Sequence, residues 1–440
     1  MSLLRRASSS TLDAIVARAR RSMESLCSSS SSSRAPTIAV GMSGGVDSAV
    51  AAWALKACGA RVVGVLMRNW DASEETGGRD DDFGGRCAHG EDRKSAKACA
   101  EKLGIELTEV DFTREYWNDV FEPYLSAFDD GATPNPDLEC NRMVKFGSLL
   151  EHATERMGAD YLATGHYARI ERCGDGEVRL LRGVDGSKDQ SYFLASVRGE
   201  SLKRACFPLG ETLKTETREA ARTLGLTSAA ERRSSAGICF IGRRPFGEFI
   251  GEYIAPKEGA FVDVETSQPI RDAPRHRGLA SYTVGQRAKI PGASRPWFVV
   301  GKNVAANVVY VASGSDHDAL FSSSCVVADE FWVAGRRPSA PTVSERFHAK
   351  ARYASPLIPI DAHGVDQSNR DDAFKPSVFS AAYAPRSTNV PSFRVSFDRP
   401  ERALTPGQAL VVYDGDVCLG GGVVERVGET SFETKKNRTD

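Results

Sequence analysis

Two cysteines in unusual surroundings carry the clearest chemical signal in this chain of 440 residues. Cys140 ends the segment TPNPDLEC, in which two prolines restrict the backbone and predict a rigid loop that also holds Asp137. Cys239 lies in GICFIG with arginines on both sides, and nearby cations lower a thiol pKa and favour the reactive thiolate. Taken singly, each cysteine would more often be an inert buried thiol, so the chemistry depends on what else the fold brings to them.

A second chemical signal is the segment SGGVDS at residues 43–48. It follows a short apolar run, residues 37–42, that predicts a buried strand, and it precedes a good helix former at residues 49–58. A glycine loop between a strand and a helix N-terminus is an anion site, because unpaired backbone N–H groups point at the loop. The Lys-containing GxxxxGK[ST] loop is missing, and SGGVDS instead resembles the PP-loop of ATP pyrophosphatases.

The elements that must position these groups alternate between strand and helix. Residues 61–67 and 106–110 predict further strands, with a helix over 93–103 between them. This order predicts an α/β fold with a doubly wound parallel sheet, in which ligands lie at the carboxyl ends of the strands. Met67 ends such a strand, where its side chain would pack on an adenine ring; on residue type alone it would be a core residue.

Length and composition favour two or three soluble domains and no membrane segment. The ten cysteines include no CxxC pair and no zinc-finger spacing, so we predict neither a structural metal site nor a disulfide framework. Residues 232–295 hold eleven Lys or Arg against six acids, which makes this stretch the best candidate for a phosphate-facing surface.

Residues 1–36 differ from the rest, with six Arg, two acids and a serine run at 28–33. This composition is typical of an organelle transit peptide, and we predict a mitochondrial address, with a plastid as the alternative. A disordered tail without an address remains open. Without this segment the formal net charge would change from −1 to −5, so any RNA-binding charge must be local.

From about residue 38 to residue 426 the chain resembles the MnmA family of tRNA-specific 2-thiouridylases. Agreement over many separated blocks is far more specific than the PP-loop alone. The blocks are GMSGGVDS, LMRNWD, EYWNDVFEPYL, TPNPDLECN, ATGHYAR, KDQSYFL, FPLGE, GICFIG, YTVGQRA, PWFVV, DHDAL, TPGQA and CLGGG.

The resemblance implies roles for individual residues. Those implied to contact ATP are Gly41, Met42, Ser43, Gly44, Gly45, Val46, Asp47, Ser48, Met67 and Gly165. Asn135, Pro136 and Asp137 would meet the target base. The remaining implied tRNA contacts are His166, Lys188, Asp189, Gln190, Arg352, Tyr353 and Gln408.

The implied reaction is ATP-dependent 2-thiolation of the wobble uridine, position 34 of tRNA. The uridine O2 would attack the α-phosphate of ATP with Mg²⁺ present, and Asp137 would be a general acid/base. Cys239 would carry a persulfide sulfur from a cysteine desulfurase or a relay protein, and Cys140 would then pair with Cys239 as a disulfide or release hydrogen sulfide. Substrates would be tRNAs of the Glu, Gln and Lys type, and the enzyme would be a monomer.

We predict a PP-loop domain over residues 37–210, a small central tRNA-binding domain over 211–295 that carries the persulfide cysteine, and a C-terminal antiparallel β-barrel over 296–440. Residues 362–390 interrupt the barrel pattern with polar and turn-forming residues, which predicts a disordered surface insertion. This insertion bears on the placement of Arg352 and Tyr353.

Three alternatives stay open from the sequence. Another PP-loop adenylating enzyme, such as a lysidine synthetase or an amidotransferase, would share the loop but need no cysteine pair. Cys140, Cys239 and Asp137 could instead hold an iron–sulfur cluster. A tRNA-binding or sulfur-carrying protein could keep the fold without turnover.

Overall fold

A computed structural model describes residues 2–27, 34–70, 88–174, 176–226, 229, 246–292, 294–365, 374–380 and 392–438. Within these ranges the chain forms a parallel-sheet domain, a central three-stranded domain and a closed antiparallel barrel. The predicted fold class is therefore confirmed. No helix in these ranges is long and apolar enough to cross a bilayer.

The first domain is built on a parallel sheet of five strands in the order β3-β2-β1-β4-β7. The apolar run of β1 is almost fully buried, as a strand covered on both faces requires. Gly41 at the end of β1 pairs with Val65 in β2, so the carboxyl ends of these strands meet at one edge. The strands are β1 Thr37–Gly41, β2 Arg61–Arg68, β3 Glu106–Asp111, β4 Tyr161–Ala163 and β7 Ala205–Cys206.

Helices connect these strands, and three segments have the wider π-helical turn that is frequent at functional sites. The α-helices of this domain are α2 Val46–Ala57, α3 Ala88–Leu103, α4 Thr113–Tyr116, α5 Glu122–Asp129, α6 Pro136–Glu139, α7 Ser191–Leu194, α8 Gly199–Lys203 and α9 Lys214–Thr223. The π-helices are π1 Trp117–Phe121, π2 Cys140–Leu149 and π3 His152–Arg156.

Within the predicted transit peptide, Ser2–Cys27 forms a helix, α1, which argues against the alternative of a disordered tail for these residues. Ile15, Ala19 and Leu26 are fully buried in the core cluster that also holds the apolar face of α2. Arg18 pairs with Glu216 of α9 at 2.7 Å. An amphipathic pattern therefore docks this helix on the first domain, and its role as an address stays a prediction.

The central domain holds α10 Phe246–Gly251 and a sheet of β8 Ala260–Asp263, β9 Trp297–Asn303 and β10 Val308–Ser313. Strand β10 pairs with β8 in parallel and with β9 in antiparallel orientation. The predicted domain boundary at residues 295/296 therefore differs from the structure, which keeps β9 and β10 in the central domain. Their alternating apolar residues were equally compatible with the first strands of a barrel.

The third domain is a barrel of six strands, closed where β11 pairs with β16. Its strands are β11 Phe321–Trp332, β12 His348–Lys350, β13 Ile358–Val365, β14 Ser392–Arg402, β15 Ala409–Asp414 and β16 Val417–Val427, followed by α11 Ser431–Lys436. A hairpin from the first domain, β5 Ala168–Arg172 and β6 Val178–Arg182, extends this sheet through pairing of β6 with β16. The two domains are thus joined by backbone hydrogen bonds.

The predicted insertion at residues 362–390 is ordered in part. Residues 362–365 continue β13, and Phe374 and Phe379 are buried. The backbone of Ser377 donates to the Val427 carbonyl at 2.9 Å. The expectation of disorder therefore does not hold for residues 374–380, and the rest of the insertion lies outside the described residues.

Candidate active site

The SGGVDS segment forms the turn between β1 and α2. Gly44 has a φ of 72°, a left-handed conformation that glycine adopts without steric cost, and Gly45 lies at the N-cap of α2. The first N–H groups of a helix have no partner inside the helix. The turn therefore offers backbone donors and the positive end of a helix dipole to an anion, as the sequence predicts.

Hydroxyl groups fix the shape of this turn. Ser48 Oγ donates to the Gly45 carbonyl at 3.1 Å and lies 3.3 Å from the Ser43 amide. From α3, the buried Ser95 donates to the Gly44 carbonyl at 2.7 Å. The turn is therefore held from inside the loop and from a neighbouring helix.

Asp47 is held by residues that the sequence did not indicate. Lys214 Nζ lies 2.5 and 2.6 Å from the two carboxylate oxygens of Asp47, and the Tyr167 hydroxyl donates to one of them at 2.7 Å. Tyr167 in turn bonds to Thr217 at 2.9 Å. Because Lys214 is 167 positions from Asp47, no local spacing could have revealed the pair. The carboxylate therefore anchors the start of α2 to α9.

Gly165 lies directly against the phosphate loop, as expected for a residue of the nucleotide site. A β-carbon at this position would come within 2.7 Å of the Asp47 carbonyl carbon and of the Ser48 amide. The turn after β4 can thus approach the first turn of α2 only with glycine there. Thr164 and His166 on either side are brought to the same edge of the sheet.

The two methionines assigned to the nucleotide occupy different places. Met42 is buried in the core, and a β-carbon at Gly64 would lie 2.8 Å from its sulfur. Only the backbone of Met42 therefore belongs to the loop. Met67 is half-buried near the end of β2 and pairs with Val110 of β3.

The second half of the site is the segment 131–135, called here the Cys140 loop, which leads into α6 and π2. Asp137 and Cys140, which were predicted in a rigid loop, lie in these two helices, because Pro136 occupies the first helical position, where it needs no amide hydrogen. The Asn135 side chain accepts a hydrogen bond from the Asp137 amide at 3.0 Å and thereby caps α6. Cys140 is the first residue of π2 and is buried. Burial raises the pKa of both the Cys140 thiol and the Asp137 carboxyl group. At neutral pH Cys140 is therefore a thiol, and Asp137 is a stronger base than an exposed aspartate.

Lys145 is a further residue that the sequence reading missed. Its charge opposes burial by lowering the pKa of both Cys140 and Asp137. The pKa of His166 lies well below its ordinary value, first because the ring is buried and then because of the Lys145 charge. The Nδ1 atom of His166 bonds to Thr164 Oγ1 at 2.7 Å, so the ring is a neutral partner within this group.

The two halves meet at the turn 164–166. Gly165 packs on the phosphate loop, while His166 shares the neighbourhood of Lys145 with Cys140 and Asp137. The turn 164–166 thus lies between the phosphate loop and π2, the helix that Cys140 begins, where His166 and Phe146 have ring centroids 6.1 Å apart. Cys239 and its flanking arginines lie outside the described residues, and its pairing with Cys140 stays a prediction.

The three residues 188–190 have different environments. Lys188 is exposed, whereas Asp189 is buried and accepts hydrogen bonds from the backbone and hydroxyl of Ser191 and from the Gly183 amide. Gln190 accepts from the Tyr167 amide at 3.0 Å. Of the three side chains expected to touch tRNA, that of Lys188 is exposed, that of Gln190 is half-buried and that of Asp189 is buried, since Asp189 and Gln190 hold the turn that presents Lys188.

The barrel domain braces the Cys140 loop. Gln408 Nε2 donates to the Thr133 carbonyl at 2.5 Å, and the Thr133 amide donates to the Pro406 carbonyl at 2.9 Å. Gly407 has a φ of +90°, and a β-carbon on it would lie 2.8 Å from the Thr133 amide. Gln408, expected to contact tRNA, therefore positions the segment that leads into α6 and π2, the helices that carry Asp137 and Cys140.

Lys302 reaches the same place from the central domain. It is 3% exposed and its Nζ lies 3.5 Å from the Thr133 hydroxyl. Burial lowers the pKa of Lys302 to about 7. All three domains therefore meet at Thr133.

Arg352 and Tyr353 lie between β12 and β13. Arg352 donates to Glu401 at 3.1 Å and to the Arg402 carbonyl at 2.8 Å. The Tyr353 ring packs on Phe193 with centroids 4.5 Å apart. Their predicted contact with tRNA is untested.

The described residues contain no group of three or more His, Cys, Asp or Glu side chains placed to hold a metal ion. The phosphate loop does fit a nucleotide, since Gly44 supplies the left-handed backbone of the turn and Gly165 leaves free the space beside the Ser48 amide that a β-carbon would fill.

Three family models match successive parts of the chain. Residues 36–243 match the tRNA methyl transferase HUP domain, residues 247–313 the tRNA methyl transferase PRC-barrel domain, and residues 380–424 the aminomethyltransferase beta-barrel domain.

Relatives match over nearly the whole chain. The tRNA-specific 2-thiouridylase MnmA of Streptococcus mutans is 41% identical over 394 residues, covering 88% of this chain and 95% of that protein. The Geobacillus thermodenitrificans protein of the same name is 41% identical, with 89% and 95% covered. The Shigella boydii protein is also 41% identical, over 90% of this chain and 98% of its own length. On this evidence the chain belongs to the MnmA family of tRNA-specific 2-thiouridylases.

Proposed function

We propose that this chain replaces the 2-oxygen of the wobble uridine of tRNA with sulfur, in an ATP-dependent reaction that passes through an adenylated base. One observation carries the proposal. The turn 164–166 lies against the phosphate loop through Gly165 and against π2, the helix that begins at Cys140, through His166, whose ring centroid is 6.1 Å from that of Phe146. A nucleotide bound on the phosphate loop and the Cys140 thiol would thus both act on the same base.

In the first step the uridine O2 forms a bond to the α-phosphorus of ATP, and pyrophosphate leaves. The N3 proton passes to Asp137, whose raised pKa suits a proton acceptor near neutral pH. Loop amides and the dipole of α2 stabilise the charge on the phosphates. When bound, Mg²⁺ would add charge neutralisation on the same oxygens.

In the second step the terminal sulfur of a persulfide on Cys239 attacks C2, and AMP leaves as N3 regains a proton. The Cys140 thiolate then attacks the Cys239 sulfur, which forms a disulfide and releases the thiolated base. Alternatively, Cys140 attacks the persulfide first and frees hydrosulfide, which attacks C2. Both routes need Cys140 as a thiolate, and Lys145 is placed to favour that form.

The sulfur would come from a cysteine desulfurase or a relay protein, and the substrates would be tRNAs of the Glu, Gln and Lys type. We propose a monomer in mitochondria, with a plastid as the alternative. N-terminal sequencing of the organellar protein would test the address, and a start at Met1 in the cytosol would contradict it.

The central test uses the full chain with an unmodified tRNA transcript, ATP, and a cysteine desulfurase with cysteine. We expect Cys140→Ser and Cys239→Ser to abolish 2-thiouridine, measured by nucleoside mass spectrometry, while tRNA-dependent pyrophosphate release continues. Asp137→Asn should lose both. Cys173→Ser, at a half-buried free cysteine, is the matched control.

The same experiment separates the alternatives. Full thiolation by both cysteine variants would exclude the cysteine mechanism. Absence of pyrophosphate release from the wild type would indicate a binding or sulfur-carrying protein. Stoichiometric iron after anaerobic purification would favour a cluster held by Cys140, Cys239 and Asp137.

A further inference from the structure

An exposed tryptophan stands beside the Cys140 loop. Trp117, in the block EYWNDVFEPYL, is 39% exposed, and it is the one aromatic residue among the large apolar side chains that are exposed in the described ranges. Its ring stacks on Trp70 with centroids 5.8 Å apart and planes inclined by 30°. A partly exposed indole ring in a fixed stack offers a surface on which another flat ring can pack.

Other aromatic rings hold this pair in place. Phe121 meets Trp70 edge-on at 4.8 Å, and Tyr253 meets Phe121 at 5.0 Å. Phe249 packs on Tyr253 at 5.2 Å. We call Trp70, Trp117, Phe121, Phe249 and Tyr253 the aromatic shelf. Its rings come from the end of β2, from π1 and from the α10 region of the central domain, so the orientation of Trp117 is fixed before any ligand arrives.

The shelf adjoins the proposed catalytic residues. Trp70 follows β2 at the sheet edge that carries the phosphate loop, and α6 packs against π1. Val120 and Tyr124, one and two turns beyond Trp117, line a cavity together with Asn135 and Pro136. The Asp137 charge contributes, after burial, to the raised pKa of Tyr124. When a tRNA base is bound at Asp137, the bases that flank it in the RNA would therefore lie close to the aromatic shelf.

We propose that the exposed face of Trp117 is a stacking platform for an unpaired nucleobase of tRNA next to the base that is modified. The proposal rests on the proposed function. A base taken out of its stack for chemistry leaves its neighbours without their own stacking partners, and an aromatic face replaces that contact for any base. Trp117 would therefore contribute to RNA affinity without distinguishing one base from another.

The test uses an anticodon stem-loop RNA with 2-aminopurine in place of a loop base that flanks the wobble uridine. Stacking on Trp117 should quench its fluorescence when the wild-type protein binds. We expect Trp117→Ala to lose the quench and to raise Kd about tenfold, and Trp117→Phe to keep both within about threefold. Val343→Ala, at an exposed apolar residue in the barrel domain, is the matched control and should bind as the wild type does.

ATP binding should be the same in Trp117→Ala and wild type, and circular dichroism at the assay temperature should show both proteins folded, which separates loss of stacking from loss of fold. If Trp117→Ala shows the same fluorescence quench and the same RNA affinity as the wild type, the stacking proposal is wrong, while the proposed function is unaffected. Unchanged RNA binding with loss of sulfur-donor protein binding would make the surface a protein contact and also overturn it. If the wild-type protein does not bind the RNA at all, the proposed function fails together with the platform.

Discussion

The phosphate loop and the Cys140 loop are positioned in opposite ways. The phosphate loop takes its shape mainly from its own residues, since Gly44 has a left-handed backbone and Ser48 bonds back to Gly45. The Cys140 loop takes its position from other domains, through Gln408 of the barrel and Lys302 of the central domain. The turn of the phosphate loop is therefore shaped mostly by its own residues, with Lys214 and Gly165 of the same domain supporting it, whereas the placement of Cys140 depends on contacts from two other domains.

Gly165→Ala should have the largest effect on ATP affinity, because Gly165 lies in the turn between the phosphate loop and the region of Cys140. The added methyl group would lie 2.7 Å from the backbone of Asp47 and Ser48, which cannot rotate away as a side chain could. Overpacking of this kind costs about 3 kcal/mol, so we expect ATP to bind about a hundredfold more weakly by isothermal titration calorimetry.

Gly251→Ala is its control, because a β-carbon there would meet nothing within 4 Å. Equal ATP affinity in Gly165→Ala and Gly251→Ala would mean that the turn 164–166 does not support the phosphate loop.

Lys302→Met should change how stability depends on pH. Folding lowers the pKa of Lys302 from 10.5 to about 7, so between these values the unfolded chain holds the proton that the folded chain has lost. Stability must then rise with pH across this window, by roughly 2 kcal/mol between pH 7 and pH 9. Lys302→Met should lack that increment in urea unfolding followed by circular dichroism. Parallel pH profiles for the two proteins would refute the effect.

Lys214→Met should test whether the phosphate loop needs any distant support. It leaves the Asp47 carboxylate without its ammonium partner, at a cost of about 2 kcal/mol after allowance for the partial exposure of Asp47. We expect weaker ATP binding, with Asp47→Asn/Lys214→Met closer to the wild type than Lys214→Met alone. Additive losses in that double-mutant cycle would show that the pair does not act as a unit.

Gln408→Ala should have the smallest effect and act on the other region only. Loss of one hydrogen bond to the Thr133 carbonyl costs about 1 kcal/mol. The Cys140 loop should open more often, so we expect Cys140 to be alkylated by iodoacetamide about fivefold faster, measured by mass spectrometry, while ATP binding is unchanged. Equal or slower alkylation of the variant would show that the hydrogen bond from Gln408 to Thr133 does not hold this loop in place.

Local signals predicted most of the parallel sheet, including β1, β2 and β3 and the loop after β1. They could not predict Lys214, Tyr167 or the Gln408 contact, because those partners lie 167, 120 and 275 positions away in sequence. The boundary before β9 was misplaced because its apolar alternation fits either a small sheet or a barrel. An arginine-rich composition suggested a free tail at residues 1–36, although its apolar spacing also suits the docked helix α1.

The hydrogen bonds from residues 406 and 408 to Thr133 have a consequence for shortened forms of the protein. A chain that stops before residue 406 would keep the phosphate loop and Cys140 but would lose both hydrogen bonds to Thr133. The support of the segment before α6 therefore depends on the last part of the sequence, although the proposed catalytic residues lie far upstream.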